Sequence, residues 1–557
     1  MVRRVLGLVY KEVSGLHQAA YVLALFAFGS QLLALIRDRI LAGQFGAGAT
    51  LDIYYAAFRI PDLLFVLFAS MLSVYVLLPY VASYAERGLP QAAQALLGQL
   101  MTLFLAGYVM LAGAIALSAP YLLAWLYPGI TDQALLVAVT QVLLLQPVLL
   151  GLSSLCGVVT QYHSRFVLHA ISPLVYNVGI IFGILVLYPH LGLVGVAAGV
   201  VLGALGHVLV QWPLVRNSQF RFRPRVQFDW PAIRSVVMTA VPRAFTLSLN
   251  QLTLLVLISL GTAMAVGSVA VFQFAFNLQS VPLAIIGVSY SVAAFPTLAK
   301  LYAGNSLAKF QQHIITALRH IIFWSVPVIA LCVVLRAQLV RVILGSGAFD
   351  WEDTRLTAAV FAVLILSLVA HGINLLLVRA LYAGGDTKTP LLVSIFSTAA
   401  TVAFAFWLHG LYVANQAFQA TVASTLRVSD VAGTEVLVLA VAYTAGIWLQ
   451  LILFAVVAHH RFVLAWREPL RVSAHAIVAA MVGGGVAYGA LNLLVDGLNI
   501  NTFIGIFLQG VLAGVLGLMG VVIAYALMGS AELREMSRAL SQRIFKSDVV
   551  ASQKHVL

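Results

Sequence analysis

The sequence predicts an all-α integral membrane protein with about fourteen transmembrane helices, and three observations predict it. Of 557 residues, 62% are hydrophobic and only 9% charged, against roughly 25% charged in a soluble domain. The mean hydropathy is +1.02. Residues 88–131, 166–215 and 244–299 contain no Asp, Glu, Lys or Arg at all. A chain this poor in charge cannot cover a soluble surface, so lipid is its solvent. The apolar runs are continuous rather than alternating, which selects helices over barrel strands.

Spans are expected near 17–40, 52–84, 92–119, 133–160, 166–188, 192–215, 234–261, 267–299, 308–333, 356–383, 389–411, 435–458, 472–495 and 502–528. An even number places both termini on one side. Eight of the 31 Lys and Arg residues fall elsewhere: Arg37, Arg39, Arg59, Arg243, Arg336, Arg341, Arg355 and Arg427. The others cluster on the terminal side, so the termini are expected in the cytoplasm. The net charge of +13 therefore reflects orientation and contact with anionic lipid, not nucleic acid. The first apolar run is span-length and lacks a small-residue cleavage site, unlike a signal peptide. Cys156 and Cys332 lie in apolar stretches and read as small buried hydrophobes. No Cys/His cluster has metal-ligand spacing, so no metal or cofactor is expected.

The longest polar connection, 216–233, divides the chain. An N-lobe over 1–215 and a C-lobe over 234–462 are expected, followed by two extra helices within 463–528 and a cytoplasmic tail, 529–557. A weak internal repeat supports the division. Ala57-Phe58-Arg59-Ile60 recurs as Ala275-Phe276-Asn277-Leu278, Ser73-Val74 as Ser291-Val292, and Pro173-Leu174 as Pro390-Leu391. Six spans per repeat is even, so the two pseudo-symmetric six-helix lobes share one orientation, around an axis along the membrane normal. That plan suits alternating access through a central cavity.

Ionisable groups inside a span are costly and so are functional candidates. The first two spans hold Arg37, Asp38, Arg39, Asp52, Arg59 and Asp62. Asp52 and Arg59 share a helix face, and Arg59 and Asp62 are spaced to pair. The alternatives are that Arg37–Arg39 and Asp52 mark the outer membrane boundary and that Arg59 is a paired structural arginine. Arg243 is the one charge in the seventh span, with Asn250 on the same face and Thr246 close by. In the eighth span Gln273, Asn277 and Ser280 form a polar stripe. Such a stripe either glues helices together or walls a water-filled cavity. A cationic cavity suits phosphate, which guanidinium grips bidentately. No P-loop, GxSxG or HExxH is present, so an enzyme is not expected. His459-His460-Arg461 reads as a solvated basic loop.

Several strings resemble one family, the MurJ (MviN) lipid II flippases of the multidrug/oligosaccharidyl-lipid/polysaccharide exporter superfamily. They are Ile36-Arg37-Asp38, Phe45-Gly46-Ala47-Gly48, Leu51-Asp52 and Ala57-Phe58-Arg59-Ile60-Pro61. Further along come Tyr127-Pro128-Gly129, Pro173 with Asn177, Gly267-Ser268-Val269, Pro282-Leu283, Gly347-Ala348-Phe349, Arg379-Ala380-Leu381-Tyr382-Ala383 and Asp386-Thr387-Lys388-Thr389-Pro390. The likeness runs over roughly residues 20–460. It implies two lobes of a fourteen-helix fold and movement of undecaprenyl-pyrophosphate-linked peptidoglycan precursor from the inner to the outer leaflet. It also implies a bacterial cytoplasmic membrane, with lipid II, the bilayer and cell-wall synthesis proteins as partners. By position, Arg37, Asp38, Asp52 and Arg59 match the family's cavity residues, and Arg243, Asn250, Gln273 and Asn277 join them as candidates.

This chain departs from the family at Gln31, Phe65, Val66 and Asn277, where the resemblance leads one to expect arginine. Arg243 is extra and is expected to replace part of the lost charge. The departures keep two other functions in view: export of another polyprenyl-linked glycan or amphiphile, and a non-transporting cell-wall scaffold. Asp38, Asp52 or Asn374 could contact a coupling cation, and the membrane potential is the other candidate energy source.

Overall fold

The structure is a computed structural model that describes residues 16–69, 71–218, 220, 223–494 and 502–544. Every regular element in it is a helix. Arg3, Arg4, Lys11, Arg221, Lys546 and Lys554, which belong to the terminal-side cluster of basic residues, lie outside the described residues, as do residue 495 and the tail beyond residue 544.

Among the described residues eleven helices are long and apolar enough to cross a bilayer, and a bent pair, Trp351–Ile365 with Leu368–Ala383, makes a twelfth. The first two expected spans fall on Leu16–Phe45 and Ala49–Ala69, the two helices that carry most of the intramembrane charges. These two stand outside the eleven or twelve. On the lipid side large apolar side chains stand open: Leu117 is 85% exposed and Leu493 82%. In water that surface would aggregate; in hydrocarbon it costs nothing.

Three expected spans are interrupted, that over 133–160 only by the turn at Leu144-Leu145. The helix expected over 52–84 is Ala49–Ala69 followed by Val74–Glu86. The helix expected over 356–383 breaks at Leu366-Ser367 and bends by 43°. There the Ser367 hydroxyl donates to the Leu364 carbonyl at 2.8 Å and accepts from Gln279 Nε2 at 2.5 Å. A side chain has thus entered the hydrogen-bond ladder, a recognised cause of a kink.

Packing groups the chain into two compact units. One comprises Met1–Asn277, Ile343–Val360 and Thr387–Gly446, the other Leu278–Val342, Phe361–Asp386 and Ile447–Leu557. In the first unit, helices Phe166–Phe182 and Leu193–Asn217 cross on bare backbone. A Cβ on Gly183 would lie 2.7 Å from Gly199 Cα, and one on Gly199 would lie 2.8 Å from the Gly179 carbonyl oxygen. Small residues at four-residue spacing allow this approach, which in lipid replaces the hydrophobic drive with van der Waals contact.

Also in the first unit, two strings that carry the family likeness meet. Ala348 N–H donates to the Gly43 carbonyl at 2.8 Å, and Ala47 N–H donates to Asp353 Oδ2 at 3.1 Å. Gly46 has φ +61°, and a Cβ there would meet the Ala348 carbonyl oxygen at 2.9 Å, so only glycine suits the turn. Ala265 stands 218 positions after Ala47, and its N–H is likewise held by a carboxylate, Glu435 Oε1, at 2.8 Å. A carboxylate thus holds a backbone N–H ahead of each of the helices Ala49–Ala69 and Ser268–Leu283.

In the second unit, Arg467–Leu494 packs on Leu307–Val334 and on Phe503–Leu527. Tyr525 stacks on Phe323 at 4.2 Å between ring centroids and donates to the Phe323 carbonyl at 2.8 Å. The tail helix Ala531–Ile544 is tied down by Arg319, whose Nε donates to Glu532 Oε1 at 2.8 Å. Burial alone would push the Glu532 carboxyl up. Its own backbone N–H, the Arg319 guanidinium and the Ser530 hydroxyl outweigh burial and hold it below the usual range.

Gly199→Val should lower the thermal midpoint in detergent by the equivalent of about 1–3 kcal/mol, and an unchanged midpoint would refute the close crossing. The Glu532 carboxylate stabilises the docked tail above its unfolded-state pKa. Docking is therefore expected intact at neutral pH and lost as pH falls from about 4.5 through the depressed value. Hydrogen exchange of residues 531–538 should rise over that interval.

Candidate functional site

The first unit holds a cavity of about 590 Å³ lined by Arg37, Leu41, Tyr54, Tyr55, Phe58, Arg59, Asp62, Tyr176, Ile180, Gln273 and Asn277. The lining comes from Leu16–Phe45, Ala49–Ala69, Phe166–Phe182 and Ser268–Leu283.

The polar lining is one continuous hydrogen-bonded line. Arg59 Nη2 donates to Gln273 Oε1 at 2.6 Å. Gln273 Nε2 donates to Asn277 Oδ1 at 2.7 Å, and Asn277 Nδ2 donates to Asp38 Oδ2 at 2.9 Å. Asp38 Oδ1 accepts from Arg37 Nη2 at 2.8 Å and from Arg37 Nε at 3.0 Å. Arg37 Nη1 then donates to Asn177 Oδ1 at 3.1 Å. Both amides point the same way, from the Arg59 cation toward the Asp38 anion, so the bonds reinforce one another. The spacing of Gln273 and Asn277, four apart on one helix face, makes the relay possible.

A guanidinium has five N–H donors. Arg37 uses three on Asp38 and Asn177. Arg59 uses two, on Gln273 and on the Tyr55 carbonyl at 3.2 Å. Among the described residues their other five N–H groups make no hydrogen bond. The charges are balanced rather than purely cationic: Asp62 shares the lining with the arginines, and Asp38, 3% exposed, backs it. Among the described residues no ion pair joins Arg59 to Asp62. The Arg59 side chain runs back toward the helix N-terminus, to Tyr55 and Gln273, as long helical side chains do.

The remaining candidates lie elsewhere. Asp52 accepts from Gly267 N–H at 2.6 Å and from Ala270 N–H at 2.9 Å. It caps the start of Ser268–Leu283, where free N–H groups and the helix dipole favour an anion. Arg39 donates to the Ile343 and Gly345 carbonyls at 3.4 and 3.5 Å, at the C-terminal end of helix Arg336–Leu344. In helix Trp230–Thr262 Asn250 is exposed, and neither Arg243 nor Asn250 lines this cavity. Gln31, Phe65 and Val66, half-buried, do not line it either. Asn374, in the second unit, donates to the Ile447 carbonyl at 3.1 Å. Sequence reasoning missed Tyr54, Tyr55 and Tyr176. Two tyrosines one turn before Arg59 were the available signal, since a phenol in a span brings a polar tip.

The family described as Lipid II flippase MurJ matches residues 41–508. The chain belongs to the MurJ family. Its relatives include a Lipid II flippase MurJ of Burkholderia cenocepacia, 25% identical over 390 residues, covering 68% of this chain and 76% of that protein. A "Probable lipid II flippase MurJ" of Rhizobium tropici is 23% identical over 475 residues, covering 82% and 84%. The fold matches a solved lipid II flippase MurJ in an inward closed conformation, with TM-score 0.69 at 18% identity over 91% of this chain and 99% of that one. An inward-facing MATE family transporter of the MOP superfamily matches with TM-score 0.62 at 13% identity, covering 78% and 94%. MurJ proteins are transporters, not enzymes. In this MurJ chain Asn277, at a position where arginine was expected, is the link between Asp38 and Gln273.

Asp52→Asn removes the charge from two buried hydrogen bonds. It should destabilise the chain by about 1.5–3 kcal/mol, read as a lower thermal midpoint. A normal midpoint would show that Asp52 is not a structural cap.

Proposed function

We propose that this chain moves lipid II, the undecaprenyl-pyrophosphate-linked peptidoglycan precursor, from the inner to the outer leaflet of the bacterial cytoplasmic membrane. The observation that carries the site assignment is the hydrogen-bonded line that holds Arg37 and Arg59 at one cavity, with five of their N–H donors uncommitted among the described residues. Guanidinium matches phosphate bidentately, so these two arginines take the pyrophosphate. Asp38 holds Arg37 until then and yields it to the incoming anion. Asn277 and Gln273 keep Asp38 and Arg59 in register during the exchange.

Both termini lie in the cytoplasm, in keeping with the bias of Lys and Arg along the chain. Two six-helix lobes, 1–215 and 234–462, rock about the cavity, with substrate binding biasing inward-open against outward-open states. The partners are then lipid II, the bilayer and the cell-wall synthesis proteins that make and use the precursor. A second reading, another polyprenyl-linked glycan as cargo, is favoured by the balanced charge of the cavity and the neutral Gln31, Phe65, Val66 and Asn277.

Complementation of a bacterium depleted of its lipid II flippase tests the first reading. Growth is expected, and failure despite normal membrane insertion moves the cargo to the second. Arg37→Ala should weaken lipid II binding about tenfold or more, while Arg243→Ala has a smaller effect. Equal losses for both would place Arg243 in the pathway after all.

A further inference from the structure

We propose that the second unit carries a binding site for the phosphate of an anionic phospholipid, in the cavity walled by Arg471, His475 and Arg534. This cavity, of about 690 Å³, also touches Arg319, Glu468 and Glu532. It forms where the start of Arg467–Leu494 meets the end of Phe503–Leu527 and the start of Ala531–Ile544.

The charge distribution in it is uneven. Arg319 collects the carboxylates, with Glu532 Oε1 at 2.7 Å, Glu468 Oε2 at 3.3 Å and Glu535 Oε1 at 4.0 Å. Glu532 Oε2 is taken by the Ser530 hydroxyl at 2.8 Å, and Glu535 Oε2 lies 3.4 Å from His320 Nε2. Among the described residues, Arg534 bonds only to backbone, the Gly529 carbonyl at 2.8 Å and the Ser530 carbonyl at 3.4 Å. Arg471 and His475 make no hydrogen bond or ion pair among the described residues. They are four apart on one helix, hence one above the other on one face. Two guanidiniums and an imidazole therefore face a polar cavity with donors open, which is the chemistry of a phosphate site.

The surroundings select a lipid over a soluble phosphate. Leu470, beside Arg471, is 66% exposed, and Leu527, two residues before Gly529, is 85% exposed. Both belong to spans, so the rim continues onto an apolar face along which acyl chains run. Basic residues at the end of a span attract anionic head groups in this way. The site lies at the ends of the last two spans and shares no residue with the cavity of Arg37 and Arg59, so its failure would leave the flippase reading untouched.

The test uses the full chain in nanodiscs of phosphatidylcholine, with phosphatidylglycerol or inorganic phosphate added. Lipid retention by native mass spectrometry and the thermal midpoint are read. Phosphatidylglycerol should be retained over phosphatidylcholine and raise the midpoint, with inorganic phosphate doing neither. Arg471→Gln should cut that preference about fivefold and Arg471→Glu should abolish it, while Arg471→Lys keeps most of it. Because Arg471 has no partner among the described residues, the midpoints of these variants in pure phosphatidylcholine should equal that of the parent, which excludes misfolding. An undiminished preference in Arg471→Glu overturns the site. An equal midpoint shift from inorganic phosphate alone, lost in Arg471→Glu, overturns the lipid assignment in favour of a soluble anion.

Discussion

Arg37, Arg59 and Asp62 line one cavity among apolar helices, with Asp38 behind it, where water is scarce and an unpaired charge is costly. The line from Arg59 through Gln273, Asn277 and Asp38 to Arg37 and Asn177 answers that constraint. Its links between helices, Arg59–Gln273, Asn277–Asp38 and Arg37–Asn177, are hydrogen bonds with one charged partner, each contributing about 1.5–3 kcal/mol, so the line ties four helices together. It also fixes the arginines before a ligand arrives. A substrate then spends little free energy on ordering them, which is where preorganisation improves binding.

The same constraint governs the helix ends. Asp52 caps Ser268–Leu283, Asp353 holds Ala47, Glu435 holds Ala265, and Arg39 takes carbonyls at the end of another helix. In a soluble protein water would serve many of these orphan groups. Here charged side chains from distant spans serve them, and so the charges of the first two spans divide between two tasks. Arg37, Asp38 and Arg59 face or back the cavity, whereas Arg39 and Asp52 hold backbone.

The spans were legible in the sequence because an uncharged apolar run of about twenty residues is too long for a soluble core helix and matches the thickness of a bilayer. The breaks near residue 70 and at Ser367 were not. The second depends on Gln279, 88 positions away, and no local pattern carries that. Arg37, Asp38, Arg59, Gln273 and Asn277, which form one hydrogen-bonded line, were legible as candidates because polar groups in a span stand out. Asp52 stood out equally, and only geometry separates a cap from a cavity wall. The tyrosines were hidden by their rings, which read as apolar. The spacing of Arg59 and Asp62 suggested a pair, but rotamer direction and the reach of Gln273 took Arg59 elsewhere.

The neutral residue at 277 bears on the choice of cargo. An arginine there would pair with Asp38 directly and leave the cavity with surplus positive charge, attractive to any anion. Asparagine instead passes polarity along without adding charge, so the arginines stay tethered to a carboxylate. A neutral amphiphile has nothing to offer in exchange for Asp38. A single carboxylate would replace one anion with another at no gain. A pyrophosphate diester brings two negative charges and several acceptor oxygens, enough to occupy both guanidiniums while Asn277 retains Asp38. A balanced cavity therefore selects by the number of charges a head group brings rather than by their sign alone, and pyrophosphate-linked lipids meet that condition.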